Sequence, residues 1–364
     1  MKRRNIIKAV GAAAIVGTLS ACKPQEQNCK QQAGEQKLHK WKMVTAWPKN
    51  FPALGTGANF LAETINQMSG GRISITVYGG GELVPPLEVF DAVSNGTAQM
   101  GHAASYYWKG KTPEAQFFGA VPFGMNAQEM NAWLYHGGGL DLWTELYQQF
   151  NLVPFPVGQT GVQMGGWFNK EINSKEDLKG LVMRIPGLGG EVLKRAGGSP
   201  KILPGSELFT SLQTGNIDAT EWVGPYNDLA FGLYQAAKYY YYPGWHEPTA
   251  CLEGIINKTA YDDLEEDLQQ IVKIACVAAN QNMLSDFTAK NKTALDTLIN
   301  QHKVELRKYP DDVIEELKGH AQAVFDELGE KSAMGKKIYK SYKAFAEQTR
   351  SWLDISENAY FKAR

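Results

Sequence analysis

The chain has 364 residues, of which 43% are hydrophobic and 21% charged, with 37 Lys plus Arg against 38 Asp plus Glu. That balance excludes a disordered or collagen-like chain and leaves no basic excess for a dedicated nucleic-acid binder. The length allows one large domain or two medium lobes.

The first 21 residues read as an address rather than a fold element. Lys2-Arg3-Arg4 precede an apolar run of 13 residues from Ala9 to Ala21, too short to span a bilayer and suited to a signal core. Arg3-Arg4-Asn5-Ile6-Ile7-Lys8 resembles a twin-arginine export signal, and Leu19-Ser20-Ala21-Cys22 looks like a bacterial lipobox. Leu19 is too large for ordinary cleavage after Ala21, so lipidation of Cys22 is the expectation, with the membrane touched by that anchor alone. Loss of Lys2, Arg3, Arg4 and Lys8 leaves 33 basic against 38 acidic residues. Residues 22–37 are polar and read as a tether. Cys29 falls there, while Cys251 and Cys276 lie in apolar surroundings and are expected as buried thiols. The six His show no Cys-x-x-Cys or His-x-x-x-His partner for zinc.

The body alternates strands and helices. Trp41–Trp47 alternates as a strand, Asn59–Ser69 as a helix stopped by Gly70-Gly71, and Arg72–Tyr78 is a β-branched strand. Leu87–Asn95 reads as a helix ending at Gly96, followed by a strand over Gln99–Ala103. The order βαβαβ implies parallel pairing. Leu152–Gly158 is a strand that ends at Gln159.

The pattern then repeats. Gly166–Asn169 is a short strand, Ser174–Gly180 a capped helical turn, and Leu181–Ile185 a strand closed by Pro186-Gly187. Glu191–Ala196 and Glu207–Thr214 are helices, the second running through Gly215 into a strand. Val93–Gly101 and Leu212–Thr220 share one grammar: helix end, Gly turn, buried strand. Two similar α/β lobes in one chain give a venus-flytrap architecture, with a ligand crevice beyond the strand ends. The expected fold is thus α/β, with open mixed sheets, cross-lobe connections and a helical C-terminus. The expected division is 38–158 plus about 248–290 for one lobe, and 159–247 plus about 291–330 for the other. From Thr259 the chain is mostly helical, with Leu264, Leu268, Ile271 and Ala275 on one face. The last helix carries Ile338, Tyr342, Phe345, Thr349 and Trp352, so residues 331–364 are a candidate homodimerisation element.

No catalytic constellation emerges: there is no Gly-x-Ser-x-Gly elbow and no phosphate-cradling loop. A polar set at strand ends remains. Arg184 interrupts the apolar run Val-Met-Arg-Ile-Pro-Gly and must meet an anion, either a structural carboxylate or the carboxylate of a ligand held bidentately. Gln159 and Glu221-Trp222 end strands, and Glu247 follows Pro-Gly-Trp-His. A ligand carboxylate beside Glu221 is repelled unless both share a cation, and oxygen donors suit Na⁺ or Ca²⁺.

At these motifs the chain resembles the extracytoplasmic solute-binding proteins of tripartite ATP-independent periplasmic (TRAP) transporters, in particular the branch that takes 2-oxoacids and related monocarboxylates. The resemblance rests on Leu178–Gly187 with its Arg-Ile-Pro-Gly, on Gly215–Trp222, and on Tyr242–Pro248 with its Trp-His-Glu-Pro. It spans roughly residues 38–350. It implies that Arg184 grips a carboxylate, that Gln159 and Glu221 help hold Na⁺ (or Ca²⁺) with the Trp222 carbonyl, and that Ser105 and Tyr106 contribute from the first lobe, with Glu247 nearby. It further implies a periplasmic, non-enzymatic carrier that delivers a small organic acid to TRAP membrane subunits. The lipobox at Cys22 departs from soluble relatives. Two other readings stand beside it. One is a binder of dicarboxylates or sugar acids, with Arg195 or Lys201 as a second cation. The other is a lipid-anchored hydrolase or lyase using Glu221 and Glu247.

Overall fold

The computed structural model describes residues 37–364, so the signal, the lipobox Cys22, Cys29 and nearly all of the tether lie outside the described residues. In chain order the first elements are β1 (His39–Thr45), α1 (Leu54–Met68), β2 (Ile73–Tyr78), α2 (Val89–Ser94) and β3 (Met100–Ala104). Two helices follow, α3 (Ala127–His136) and α4 (Gly139–Tyr147), and then β4 (Leu152–Gln159) and β5 (Gly166–Phe168). Next come β6 (Val182–Arg184), α5 (Gly187–Arg195), β7 (Ser199–Lys201), α6 (Gly205–Gln213), β8 (Ala219–Thr220), α7 (Pro225–Phe231) and β9 (Tyr239–Tyr242). The remainder is β10 (Cys251–Asn257), α8 (Lys258–Asp262), α9 (Glu266–Asn300), β11 (Glu305–Lys308), α10 (Asp311–Glu330), α11 (Ala333–Ile355) and α12 (Glu357–Ala363).

The strands divide into two sheets. One has the order β2-β1-β3-β10-β4 and the other β11-β9-β5-β8-β6-β7. The βαβαβ reading holds for β1, β2 and β3, which pair in parallel. β10 is the departure: it inserts antiparallel between β3 and β4, returning the chain to the first sheet. Its seven residues are all buried. The sequence Cys-Leu-Glu-Gly-Ile-Ile-Asn lacks the alternation of a half-exposed strand because both of its faces are covered. The two segments with a shared grammar do correspond, since Gly96 and Gly215 both turn at positive φ, into β3 and β8 respectively.

Helices begin earlier than periodicity suggests, α1 at Leu54 and α5 at Gly187. Both first turns hold Gly, which carries no hydrophobic signal. The turn after Ser174 is a 3₁₀ helix with a capping box: the Asp177 amide donates to the Ser174 hydroxyl, and the Ser174 amide donates to the Asp177 carboxylate. Cys251 and Cys276 are free and buried. In the helical layer under the first sheet, Phe118 lies between Trp133 and Trp143, with centroids at 5.4 and 5.0 Å and nearly parallel planes.

The stripe on α11 does two things. Ile338 and Tyr342 are buried in the protein's own core, Tyr342 edge-on to Trp133 at 5.2 Å and accepting a hydrogen bond from the Met125 amide. Phe345 packs partly buried against that core, and Thr349 hydrogen-bonds Glu129. Trp352, at 62% exposure, and Ile355, at 73%, are left to solvent. Among the described residues, no helix is long and apolar enough to cross a membrane.

Candidate functional site

Arg184 ends β6, where parallel neighbours on both sides bury it. It is 1% exposed, and no other Lys or Arg among the described residues is buried. Such a charge must be paired. Its Nη1 forms an ion pair with the Glu221 carboxylate and donates to the Glu221 carbonyl at 3.0 Å. Its Nε donates to Leu203 O at 3.2 Å, and Nη2 donates to the Tyr107 hydroxyl at 3.3 Å. Of the five guanidinium N–H groups, these bonds leave one on Nη2. The flat face of the guanidinium lies 5.1 Å from the centre of the Trp222 ring. The structural-ion-pair reading of Arg184 is therefore realised with Glu221.

Glu221 follows β8 directly and is 1% exposed. Its second oxygen faces His246 Nε2 at 3.3 Å. Glu247 is next in the chain, and the ligating atoms of Glu221, His246 and Glu247 lie within 4.8 Å of one another, all buried. Gln163 Nε2 donates to Glu247 at 2.7 Å. Burial, and then the neighbouring Glu221 charge, hold the Glu247 carboxyl well above the usual range. His246 Nδ1 is buried with no partner among the described residues. Two carboxylates and an imidazole this close, one carboxyl strained by the other's charge, fit a hard cation. That ion would supply the positive charge which lets a ligand carboxylate sit beside Glu221.

A narrow pocket lies next to this cluster, lined by Tyr106, Tyr107, Gln163, Arg184 and Trp222 with the apolar side chains of Trp47, Leu54, Val223 and Leu252. Tyr106 reaches it from the segment after β3 and packs on Gly187. A Cβ at Gly187 would come within 3.1 Å of Tyr106, and the backbone there has φ +62°, so only glycine fits. Burial pushes both the Tyr106 and Tyr107 hydroxyls up, so they remain neutral donors.

The expected residues do not all converge. Arg184, Trp222 and Tyr106 line the cavity, while Glu221 and Glu247 stand behind it in the acidic cluster. Gln159 is fully buried, but its amide nitrogen donates to Asn131 and its oxygen takes the Thr249 hydroxyl at 2.8 Å, so both ends of the amide are engaged. Ser105 is buried, its hydroxyl without a partner among the described residues and 2.9 Å from where a Gly119 Cβ would sit. Neither is a lining residue. The second cation considered for a dicarboxylate is absent: Arg195 pairs with Glu327 at the surface and Lys201 is exposed.

Three residues escaped sequence reasoning. The Tyr107 hydroxyl accepts a hydrogen bond from the Arg184 guanidinium, which its adjacency to Tyr106 hinted at without deciding which ring faces inward. Gln163 lies in a loop with no periodicity. His246 stands beside Glu247, and that adjacency was the one available signal.

This is a buried anion grip beside an acidic cation cluster, and it defines a solute-binding protein of the periplasmic type. The chain belongs to the bacterial extracellular solute-binding protein family 7, whose model matches residues 43–332. It is a TRAP-system binding protein and not an enzyme. It is 44% identical over 362 residues to the monocarboxylate 2-oxoacid-binding periplasmic protein of Nostoc sp. PCC 7120, covering 99% of this chain and 98% of that one. A TRAP periplasmic solute-binding protein of Pseudoalteromonas atlantica, solved with bound sodium and pyruvate, is 43% identical with a TM-score of 0.88, over 90% of this chain and all of that one. A TRAP solute-binding protein of Bordetella bronchiseptica is 38% identical with a TM-score of 0.88, over 90% of this chain and 97% of that one. It was solved as a mixed-occupancy dimer with copurified calcium and picolinate.

Proposed function

We propose that this protein captures a small 2-oxo monocarboxylate such as pyruvate, or a related 2-hydroxy acid, together with Na⁺ or Ca²⁺, and hands it to TRAP membrane subunits. The observation that carries this reading is that Arg184 is the one buried Lys or Arg among the described residues. One guanidinium, already sharing its charge with Glu221, serves one further carboxylate. A dicarboxylate or sugar acid with a second charge would leave that charge unpaired among Trp47, Leu54 and Leu252. The ligand carboxylate goes to Arg184 Nη2, with Tyr106 and Tyr107 as neutral donors. The ion is held by Glu221, with the Trp222 carbonyl, and with Gln159, whose oxygen keeps a lone pair beyond its bond to Thr249. Glu247 and His246 are the added donors that the cluster suggests.

The two sheets support a division into lobes of 38–158 plus about 248–290 and 159–247 plus about 291–330, with the cavity between them. Export to the periplasm with lipid attachment at Cys22 follows from the N-terminal motifs. A homodimer built on residues 331–364 is supported by the exposed Trp352 and Ile355, and by the dimer formed by the Bordetella relative.

Calorimetry of the purified, metal-stripped protein tests the ligand reading. Pyruvate should bind at one equivalent and unchanged, tighter with Na⁺ or Ca²⁺ present, and 2-oxoglutarate at least tenfold weaker. Equal affinity for the dicarboxylate, or consumption of pyruvate, would sink it.

A further inference from the structure

We infer that the loop between β1 and α1, residues 46–53, is a strap that carries one wall of the ligand cavity and fastens it to α7, making Phe51 and Asn227 positioning residues that set how long a ligand stays bound. This rests on the binding reading above. The loop supplies Trp47 to the cavity wall and leads into Leu54, the first residue of α1, which also lines it. The Trp47 indole is aimed by a hydrogen bond to His102 Nδ1 at 2.8 Å. Burial lowers the His102 pKa to about 3, which keeps that nitrogen a free acceptor at neutral pH.

Between Trp47 and Leu54 the backbone is bent against its preference. Asn50 has φ 58°, and Ala53 has φ 55° with ψ −51°, closed by a bond of 2.6 Å from the Leu54 amide to the Pro52 carbonyl. Such a three-residue turn is strained at a residue other than glycine, and it persists only where its surroundings over-determine it. The surroundings here belong to the other sheet's helix. The Phe51 ring stacks on Phe231 of α7 at 4.2 Å. Asn227, also on α7 and fully buried, donates to the same Pro52 carbonyl at 2.9 Å. Its amide oxygen has no partner among the described residues, so the bond to Pro52 is what holds the side chain.

The contact continues to the ligand. Phe231 lies edge-on to Trp222 at 5.2 Å, and Trp222 covers Arg184. The aromatic chain Phe51–Phe231–Trp222 thus joins the cavity's apolar wall to its anion grip. Opening the cleft on the strap side separates Phe51 from Phe231 and strips Pro52 of Asn227. A ligand that spans both walls is retained by those same contacts.

The experiment compares the wild type with Phe51→Ala, Phe51→Tyr and Asn227→Ala. Stopped-flow tryptophan fluorescence gives the association and dissociation rates of pyruvate in Na⁺. Hydrogen exchange on the ligand-free proteins gives the protection of residues 49–55 and 225–231. Phe51→Ala should raise the pyruvate dissociation rate roughly tenfold, the scale of one aromatic pair, with association little changed. Phe51→Tyr should restore it, and Asn227→Ala should follow Phe51→Ala. Protection should fall in both segments together. An unchanged dissociation rate, or a loss of protection confined to 49–55, overturns the strap. A wild type that ignores pyruvate defeats the ligand reading, and the paired exchange result then decides the strap by itself.

Discussion

Arg184 and Glu221, each 1% exposed, form an ion pair in which Glu221 engages the same Nη1 through both its carboxylate and its main-chain carbonyl. The pair fixes the floor of the cavity before any ligand arrives and leaves the Nη2 side as the free hand. It also makes Arg184 a structural residue, which alters what a mutation there should do.

Arg184→Ala should abolish pyruvate binding, a loss of roughly 2–5 kcal/mol for truncating one partner of a buried charge pair. Because it strands Glu221 in the interior, it should also destabilise the ligand-free protein by about 3–5 kcal/mol. The double variant Arg184→Met/Glu221→Met should recover much of that stability while remaining unable to bind. Thermal unfolding of the three proteins without ligand checks this. A single variant as stable as the wild type would show that Glu221 is satisfied by other groups.

Glu221→Gln should weaken ion and ligand binding together, since a neutral amide offers one oxygen and no charge. Coupling is reciprocal, so the factor by which pyruvate raises ion affinity must equal the factor by which the ion raises pyruvate affinity. Stripping the ion from the wild type should weaken pyruvate binding at least tenfold, about 1.4 kcal/mol. Titrations in both orders measure the two factors, and unequal or unit factors defeat the shared-cation arrangement.

Stability should fall as pH rises toward neutrality through Glu253. This carboxyl on β10 is fully buried between the Trp108 indole and the Tyr147 hydroxyl, and burial pushes its pKa from 4.5 up to about 7. The folded pKa is the raised one. Its contribution is therefore complete below about pH 4.5 and is lost as pH climbs through about 7. Glu253→Gln keeps an acceptor for Trp108 and a donor for Tyr147, and it removes the titration. Relative to that variant, the wild type should lose on the order of 3 kcal/mol between pH 4.5 and 8. Parallel stability–pH curves would show that Glu253 does not titrate in this range.

Truncation after Arg350 should convert a dimer to a monomer without unfolding it. It removes the exposed Trp352, Ile355, Tyr360 and Phe361 and spares the buried Ile338 and Tyr342. A cut after Glu330 would remove those buried residues too and could not separate association from stability. Light scattering of the truncated and full chains decides, and a full chain already monomeric removes the proposal.

How far each feature was legible follows from its range along the chain. The strands β1, β2 and β6, the capped turn at Ser174 and the Gly turns at Gly96 and Gly215 are local, so alternation, caps and positive-φ demands announce them in a few residues. Arg184 was legible for a thermodynamic reason: a guanidinium inside an apolar run needs an anion wherever the chain goes. Which anion it meets was not legible. Glu221 is 37 residues away and reaches Arg184 only because β8 pairs with β6 in parallel, at the register Arg184 with Thr220. The same applies to Gln159, whose place at a strand end does not reveal that its amide bonds Asn131 and Thr249. Gln163, in the loop that follows β4, reaches Glu247 instead. Local pattern determined the elements, the buried charge and the resemblance that names the family. Tertiary structure decided the rest, because hydrogen bonds and ion pairs within about 3 Å depend on where two sheets place their ends, and no spacing along one chain encodes that distance.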